Sequence, residues 1–212
     1  MYNGKFISIE GTEGAGKSTA LQFIKKYLFA KKIHTVWTRE PGGTEIAEEI
    51  RNLILHPKTE EVMAPETEIL LMFAARAQHL HQVIMPALNE NKWVICDRFI
   101  DATYAYQGGG RNIGIDWIAT LDNLVVGDVY PDLTLLLDVE PDIGFERTKK
   151  RHTQPDRIEQ EKMDFFERVR NTYLERANEF PDRIKLIDAS LPINMVEKQI
   201  GSVLDEFIAR RN

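Results

Sequence analysis

The chain has 212 residues, a formal net charge of −6 and a single cysteine. This length fits one large α/β domain, and the negative charge argues against a broad nucleic-acid surface, which needs a basic face. Cys96 lies in an apolar run, so we interpret it as a core residue, and an intramolecular disulfide is excluded. No long apolar stretch follows basic residues near the start, so we expect no membrane segment and a cytoplasmic location.

The first predicted elements are a strand over 5–10, a glycine-rich loop and a helix over 17–31. The loop at 11–18 reads Gly11-Thr12-Glu13-Gly14-Ala15-Gly16-Lys17-Ser18. Its glycines allow successive backbone N–H groups to turn around a phosphate, and the positive end of the helix dipole faces the same anion. Lys17 can reach the β- and γ-phosphates, and the Ser18 hydroxyl can ligate Mg²⁺. The order strand, loop, helix therefore predicts a nucleoside-triphosphate site.

Further strand-like runs occur at 33–38, 92–97, 132–139 and 183–188. Amphipathic helices are predicted over 44–55, 65–89 and 192–210, with a kink or reset at Pro86. This alternation predicts an α/β fold of the P-loop NTPase type, with three layers and a five-stranded parallel sheet covered by helices on both faces. No repeat or linker is evident, so we expect residues 1–212 to form a single domain.

Polar residues at the ends of the second and third predicted strands indicate a second anion site. Arg39 lies in the glycine-containing stretch 38–44, and Asp97 and Arg98 follow the third strand. Each arginine offers a planar fork suited to phosphate, and a strand-end aspartate can hold the Mg²⁺ shell. A site for a triphosphate beside a site for a monophosphate fits phosphoryl transfer between nucleotides better than simple hydrolysis.

A basic cluster is present in the stretch 147–159, which contains Arg147, Lys149, Lys150 and Arg151 before a break at 154–155. One interpretation is a solvated helix end, where cations favour the C-terminal dipole. The other is a lid that brings cations onto the triphosphate and excludes water. The break after the cluster favours the lid.

These motifs together resemble the thymidylate kinase family, and they occur in the family's order over nearly the whole chain. The resemblance rests on the stretches 9–18, 38–44, 73–76, 97–99, 105–110 and 156–159. It implies a nucleoside monophosphate kinase with a lid. Such an enzyme transfers the γ-phosphoryl group of Mg-ATP to dTMP for dTTP synthesis and DNA replication. It also implies a homodimer, with ATP and dTMP as small-molecule partners and no nucleic-acid or membrane partner.

The resemblance further implies roles for individual residues. ATP would be bound by loop residues 11–19, including Thr19, and by Arg147 and Arg151. The dTMP site would comprise Glu13, Arg39, Pro41, Phe73, Arg76, Arg98, Thr103, Tyr106 and Gln107.

Within that dTMP site, Arg39 and Arg98 would hold the phosphate. Phe73 would stack on thymine, and Arg76 would bond its O4 edge. Thr103 and Gln107 would lie near the base, Tyr106 would crowd the 2′ position, and Glu13 would lie by the 3′-hydroxyl or the metal shell. The catalytic residues would be Lys17, Arg151, Arg98 and Glu13. Because the loop has no arginine and Arg151 lies in the lid, the chain resembles the bacterial lid-arginine type.

Two alternatives stay open. A kinase of another monophosphate or of a deoxynucleoside would share the loop and lid, and only the base pocket distinguishes it. A nucleotide-gated switch ATPase is the other, although it would have no reason to carry a second anion site. The third position of Asp97-Arg98-Phe99, where many members have tyrosine or histidine, has no role assigned from the sequence.

Overall fold

The computed structural model describes residues 4–59, 61–149 and 156–210, and they contain a five-stranded sheet. The strands are β1 (Phe6–Glu10), β2 (Thr35–Arg39), β3 (Trp93–Asp97), β4 (Leu133–Asp138) and β5 (Ile184–Asp188). All neighbouring pairs are parallel, in the order β2-β3-β1-β4-β5. The predicted five-stranded parallel sheet is thus confirmed.

Helices follow each strand. They are α1 (Lys17–Ala30), α2 (Glu45–Leu55), α3 (Pro65–His79), α4 (Met85–Asn89), α5 (Ile100–Thr103), α6 (Ile115–Val125), α7 (Pro141–Lys149), α8 (Met163–Glu179) and α9 (Ile193–Ala209). The sequence analysis did not delimit α5 to α8.

The region predicted as one long helix over 65–89 is divided into α3, a π-helical turn over Leu80–Ile84, and α4. Proline has no N–H, and its ring collides with the preceding turn of a regular helix. A wider π turn directly before α4 accommodates Pro86 near the start of that helix. The prediction of a reset at Pro86 is therefore confirmed. A second π-helical stretch spans Tyr104–Gly110 and continues from α5.

The alternation of side chains along the strands divides the core between the two faces of the sheet. Ile7 and Ile9 of β1 pack with residues of α1 and α9 on one face. Phe6 points to the opposite face and packs with residues of α3 and α6. Cys96 is fully buried in that second cluster, as its apolar surroundings in the sequence predicted. No helix in the described ranges is both long and apolar enough to cross a membrane.

The parallel register brings the polar strand ends to one edge of the sheet. Asp97 at the end of β3 is level with Ile9 of β1 and with Arg39 of β2. The glycine loop after β1 and the segments after β2 and β3 therefore leave the sheet side by side. Ligands of open α/β sheets bind at this carboxyl edge.

Candidate active site

The loop between β1 and α1 needs glycine at several positions. Gly11, Gly14 and Gly16 have φ values of 138°, 75° and 89°, a region that residues with a Cβ rarely adopt. A Cβ on Gly11 would also lie 2.5 Å from the Leu137 carbonyl oxygen of β4. The backbone can therefore curl tightly against the sheet, with the start of α1 immediately behind it. This arrangement directs backbone N–H groups at a bound anion.

Lys17, the first residue of α1, carries its ammonium group back over this loop. Its Nζ lies 3.2 Å from the Gly11 carbonyl oxygen. Burial, and next the Arg98 charge, lower the pKa of Lys17 to about 8, against the opposing effect of the Asp97 carboxylate and other nearby acids. The lowered pKa means that the nearby carboxylates do not fully offset the cost of burying the charge on Lys17. A bound triphosphate would therefore stabilise its ammonium group.

A cavity of about 270 Å³ opens beside the loop, at the carboxyl edge of the sheet. It is bounded by the loop, the ends of β2 and β3, and the helices α2, α3 and α5. Most of the residues predicted for the acceptor side line it: Glu13, Pro41, Arg76, Arg98, Thr103, Tyr106 and Gln107. Lys17, Ser18 and Asp97 line it as well.

Arg98, Glu13 and Tyr106 form a hydrogen-bonded cluster on the floor of this cavity. Arg98 donates to the Gly11 carbonyl oxygen and to Glu13 Oε1, both at 2.8 Å, and its guanidinium lies 4.8 Å from the centre of the Tyr106 ring. The Tyr106 hydroxyl donates to Glu13 at 2.8 Å. Burial and the Glu13 charge together raise the pKa of Tyr106 well above its ordinary value, although Arg98 opposes them. The phenol therefore remains a hydrogen-bond donor at neutral pH.

Arg76 is held at the deep end of the cavity and is only 3% exposed. Its Nε donates to Glu40 Oε2 at 2.7 Å, and its Nη2 donates to the Phe99 carbonyl oxygen at 3.2 Å. The same carboxylate contacts His79 Nδ1 at 2.9 Å. Arg76 Nη1 is buried and has no hydrogen-bond partner in the described part of the chain. An unpaired donor at a cavity wall is suited to a ligand carbonyl oxygen.

Phe73 does not line the cavity, which corrects the prediction that it stacks on a base. It is 2% exposed and belongs to the core cluster on the α3 side of the sheet. Its ring lies 5.1 Å from the Arg76 guanidinium carbon, so it supports that arginine from the core side. Met72 lines the cavity instead. Both residues are near Arg76 on the helix, at three and four positions before it, and sequence spacing alone did not distinguish them.

Arg39 is also placed differently from the prediction. Its guanidinium is exposed and donates to Glu48 Oε2 of α2 at 2.9 Å, and it does not line the cavity. Arg51 of α2, which the sequence analysis missed, lines the cavity and donates to the Pro41 carbonyl oxygen at 2.9 Å. Arg51 lies four residues after Ala47, on the buried face of α2. A charged residue at such a position was the sequence signal that could have identified it as a site residue.

Arg51 and Arg98 both line the cavity, and Arg39 lies near enough for its charge to act on Arg51. Burial, followed by the charges of Arg39 and more weakly Arg98, lowers the pKa of Arg51, while Glu48 opposes the shift. Cations held this close together repel one another unless an anion lies between them. The arrangement therefore suits a phosphate group, and a contact from Arg39 would require it to leave Glu48.

Two carboxyl groups at the ends of β1 and β3 lie in different surroundings. Burial, and next the Asp101 charge, raise the pKa of Glu10 to about 8, although hydrogen bonds from Tyr173 and the Phe99 N–H oppose this. Glu10 therefore carries a proton at neutral pH and is a poor cation ligand. Asp97 lines the cavity, and its Oδ1 is buried without a hydrogen-bond partner among the described residues. This oxygen fits a role beside a hydrated cation.

Phe99, whose role the sequence left open, is a core residue that supports this arrangement. It is fully buried, and its ring packs against Phe6 with centroids 4.8 Å apart. Its backbone N–H donates to Glu10, and its carbonyl oxygen accepts from Arg76. Its contribution is therefore to position Arg76 and to cover Glu10.

A second cavity, of about 290 Å³, lies on the other side of the loop. The two cavities share Gly14, Ala15 and Gly16. Thr19 and Arg147 also line the second one, as do apolar residues before and within α9. Arg147 Nη1 donates to the Ala189 carbonyl oxygen at 2.9 Å, which fixes the arginine at the cavity wall. The loop therefore separates two ligand-sized spaces.

The predicted lid is described only in part. Arg147 and Lys149 belong to α7, and Asp156, Ile158 and Glu159 line the first cavity. Asp156 Oδ1 accepts from the backbone N–H groups of Ile158 and Glu159, both at 2.9 Å, and this fixes the chain where the described residues resume. Lys150 and Arg151 lie outside the described residues.

The chain is similar to thymidylate kinases in sequence and in structure. The family model described as thymidylate kinase matches residues 9–200. The chain is 53% identical over 204 residues to the thymidylate kinase of Vesicomyosocius okutanii, covering 96% of this chain and 98% of that relative. It is 50% identical over 208 residues to that of Pseudomonas entomophila, covering 98% of each. The crystal structure of thymidylate kinase from Ehrlichia chaffeensis matches with a TM-score of 0.74 and 35% identity, covering 95% of this chain and 98% of that one.

Proposed function

This chain belongs to the thymidylate kinase family, whose members phosphorylate dTMP to dTDP, and we propose that the two cavities beside the glycine loop hold the two nucleotides of that reaction. The first cavity, of about 270 Å³, would take dTMP, and the second, of about 290 Å³, would take the adenosine of ATP. The observation that carries this proposal is that Gly14, Ala15 and Gly16 line both cavities. A triphosphate on the loop would then point its γ-phosphate at the acceptor.

On this proposal, catalysis consists mainly of positioning and charge neutralisation, because a transferring phosphoryl group needs little covalent help. Lys17 and the loop N–H groups would bind the β- and γ-phosphates. Arg98 and Arg51 would hold the dTMP phosphate, and Arg39 would join them on leaving Glu48. The acceptor phosphate is already an anion near neutral pH, so no strong general base is required. Arg151 is assigned by resemblance as the lid cation on the transferring group.

We assign the Mg²⁺ that accompanies ATP to Ser18 and Asp97. Magnesium in phosphoryl-transfer sites is held by one or two protein oxygens together with substrate phosphates and waters. The Ser18 hydroxyl at the start of α1 and the unpaired Asp97 Oδ1 supply such oxygens, and both residues line the first cavity. The metal would neutralise phosphate charge when bound.

The base would lie between Met72, Arg76, Thr103 and Gln107 at the deep end of the cavity. Arg76 Nη1, the unpaired donor, would bond the O4 carbonyl of thymine. Tyr106 would crowd the 2′ position of the sugar, and Glu13 would lie near the 3′-hydroxyl. The fixed orientation of Arg76 supports this assignment, because a buried donor without a partner selects ligands that carry an acceptor.

The acceptor assignment predicts a ranking of substrates. We expect kcat/KM to be highest for dTMP, lower for dUMP, which lacks the methyl group, and far lower for dCMP, UMP and AMP. A missing methyl group costs about 1–3 kcal/mol, whereas a mispaired buried polar group discriminates more strongly. Steady-state assays with saturating Mg-ATP measure the ranking. Equal kcat/KM for dCMP and dTMP would contradict the base pocket while leaving the loop assignment intact.

We further propose that two copies of the chain associate through the surface formed by α2, α3 and α6. Leu70, Trp117 and Leu124 are 56%, 69% and 78% exposed there, and Ile46 and Leu53 extend the apolar surface along α2. Exposed apolar patches of this kind mark interaction sites. A second copy would bury them by symmetric contact, the commonest arrangement of homodimers.

Analytical ultracentrifugation tests this assembly. We expect a dimer for the unchanged chain and a shift to monomer for Trp117→Glu, because a buried charge at the interface has no partner. Phe29→Glu is the matched control, since Phe29 is 82% exposed on α1, which covers the opposite face of the sheet. A monomer for the unchanged chain, or a dimer that survives Trp117→Glu, would refute this surface.

A cytoplasmic role in dTTP synthesis completes the proposal. The single cysteine is buried in the core and has no second cysteine to pair with, which suits a reducing compartment. Cell fractionation tests the location, and recovery of the protein from an oxidising compartment would contradict it.

A further inference from the structure

We propose that Glu68, a buried residue of α3 that does not line the dTMP cavity, is a positioning residue that sets base selectivity by fixing the orientation of the Gln107 amide. This inference rests on the proposed binding of dTMP in the first cavity. Glu68 is 1% exposed, and its three partners come from two separate segments of the chain, Gln107 and Arg111 from one and Arg157 from the other.

The carboxyl group of Glu68 lies beside two arginine side chains. Its carboxylate contacts the guanidinium groups of Arg111 and Arg157. Burial alone would raise the pKa of Glu68, but the hydrogen bond from Gln107 and the two arginine charges lower it below its ordinary value. Glu68 is therefore ionised at neutral pH, and an ionised carboxylate only accepts hydrogen bonds.

Glu68 also determines which end of the Gln107 amide faces it. Its Nε2 donates to Glu68 Oε1 at 2.8 Å, and Gln107 is 1% exposed. If the amide were flipped, its carbonyl oxygen would face the carboxylate, and two acceptors would repel each other in a buried place. Glu68 therefore turns the Gln107 carbonyl oxygen away from itself and, since Gln107 lines the cavity, this oxygen would face the bound base.

The Gln107 acceptor and the Arg76 donor together form a recognition pattern for the base. Arg76 presents Nη1 as a donor, and Gln107 presents Oε1 as an acceptor. Thymine has a carbonyl at position 4 and an N–H at position 3, which match this pair. Cytosine has an amino group at position 4 and an acceptor at N3, so both of its groups are mismatched. Glu68 thus controls one half of the pattern that rejects cytosine, without itself contacting the base.

The test compares dTMP with 5-methyl-dCMP, since both carry the methyl group and differ only in the pattern at positions 3 and 4. In Glu68→Gln the neutral amide can pair with either end of Gln107, so the orientation is no longer fixed. We expect the ratio of kcat/KM for dTMP over 5-methyl-dCMP to fall about tenfold or more. The change should appear mainly as a higher KM for dTMP, because base contacts are present before transfer begins.

Arg157→Gln supplies the matched control. It removes a salt bridge of Glu68 but leaves the Glu68–Gln107 hydrogen bond, so the substrate ratio should stay at the wild-type value. The double variant Glu68→Gln/Arg157→Gln removes the cation together with its carboxylate, while Arg111 keeps its contact with Glu161. If Glu68→Gln alone misfolds, this double variant supplies the test. We expect its ratio of kcat/KM for dTMP over 5-methyl-dCMP to be below that of Arg157→Gln by the same factor by which Glu68→Gln is below the wild type.

The outcomes separate this inference from the function on which it rests. A wild-type protein that does not distinguish dTMP from 5-methyl-dCMP would overturn the base pocket itself. Wild-type discrimination that persists in Glu68→Gln or in the double variant would overturn only the role of Glu68. An equal fall of the ratio in Arg157→Gln, or failure of both Glu68 variants to fold, would assign Glu68 a purely structural role and would also overturn it.

Discussion

Replacing Lys17 with alanine is expected to reduce kcat by about 10³-fold, the larger end of the loss seen when one preorganised charge-stabilising group is removed. Lys17 is the cation that the described structure places directly over the loop, where the transferring phosphoryl group would develop charge. Steady-state turnover of ATP with dTMP measures the loss.

The same substitution should leave the fold intact. Burial, and next Arg98, lower the pKa of Lys17, so the charged side chain opposes folding at neutral pH and alanine removes that cost. We expect the Tm to stay the same or to rise. Lys26→Ala, which removes an exposed cation of the same helix, is the control and should keep normal turnover. A folded Lys17→Ala variant with near-normal turnover would refute the phosphate cradle.

Replacing Arg151 with alanine is the second large expected effect, a reduction of kcat by about 10³-fold or more with little change in dTMP binding. The glycine loop has no arginine, so an arginine that acts on the transferring group together with Lys17 must come from elsewhere. The chain is fixed on both sides of this segment, by Arg147 on the Ala189 carbonyl and by the turn at Asp156. The described residues on either side of this segment line the two cavities, Arg147 the second and Asp156 the first.

A comparison of kcat with the dissociation constant for dTMP tests this role. Lys149→Ala is the matched control, because Lys149 is an exposed cation two residues away that pairs with Glu146. We expect it to leave both quantities near their wild-type values. An Arg151→Ala variant that loses dTMP affinity but keeps its kcat would move Arg151 out of the catalytic role.

The parts of the fold and of the candidate site that depend on local sequence could be predicted. The glycine loop combines backbone turns, a helix start and Lys17 within eight residues, so its shape is determined by residues that are adjacent in the sequence. Arg98 was recognised because the carboxyl ends of parallel strands meet at one edge. The three central strands β1, β3 and β4 were recognised from apolar runs, since burial on both faces leaves little else in them.

The parts that depend on distant contacts could not be predicted. Whether Met72 or Phe73 faces the cavity depends on how α3 is rotated against the sheet, and both lie within one turn of Arg76. Arg39 pairs with Glu48 of α2 and does not line the cavity, and Arg51 of α2 lines it instead. Glu68 and Gln107 are 39 residues apart, and nothing in the sequence brings them together.

Transfer of the γ-phosphoryl group from ATP to dTMP is the central claim, and γ-labelled ATP tests it most directly. With Mg²⁺ and dTMP present, the label should appear in dTDP, with one ADP formed per dTDP. Removal of Mg²⁺ by a chelator, or omission of dTMP, should abolish ADP formation. Label that appears as inorganic phosphate, with ADP formed equally fast without dTMP, would contradict the account and would indicate a nucleotide-hydrolysing switch.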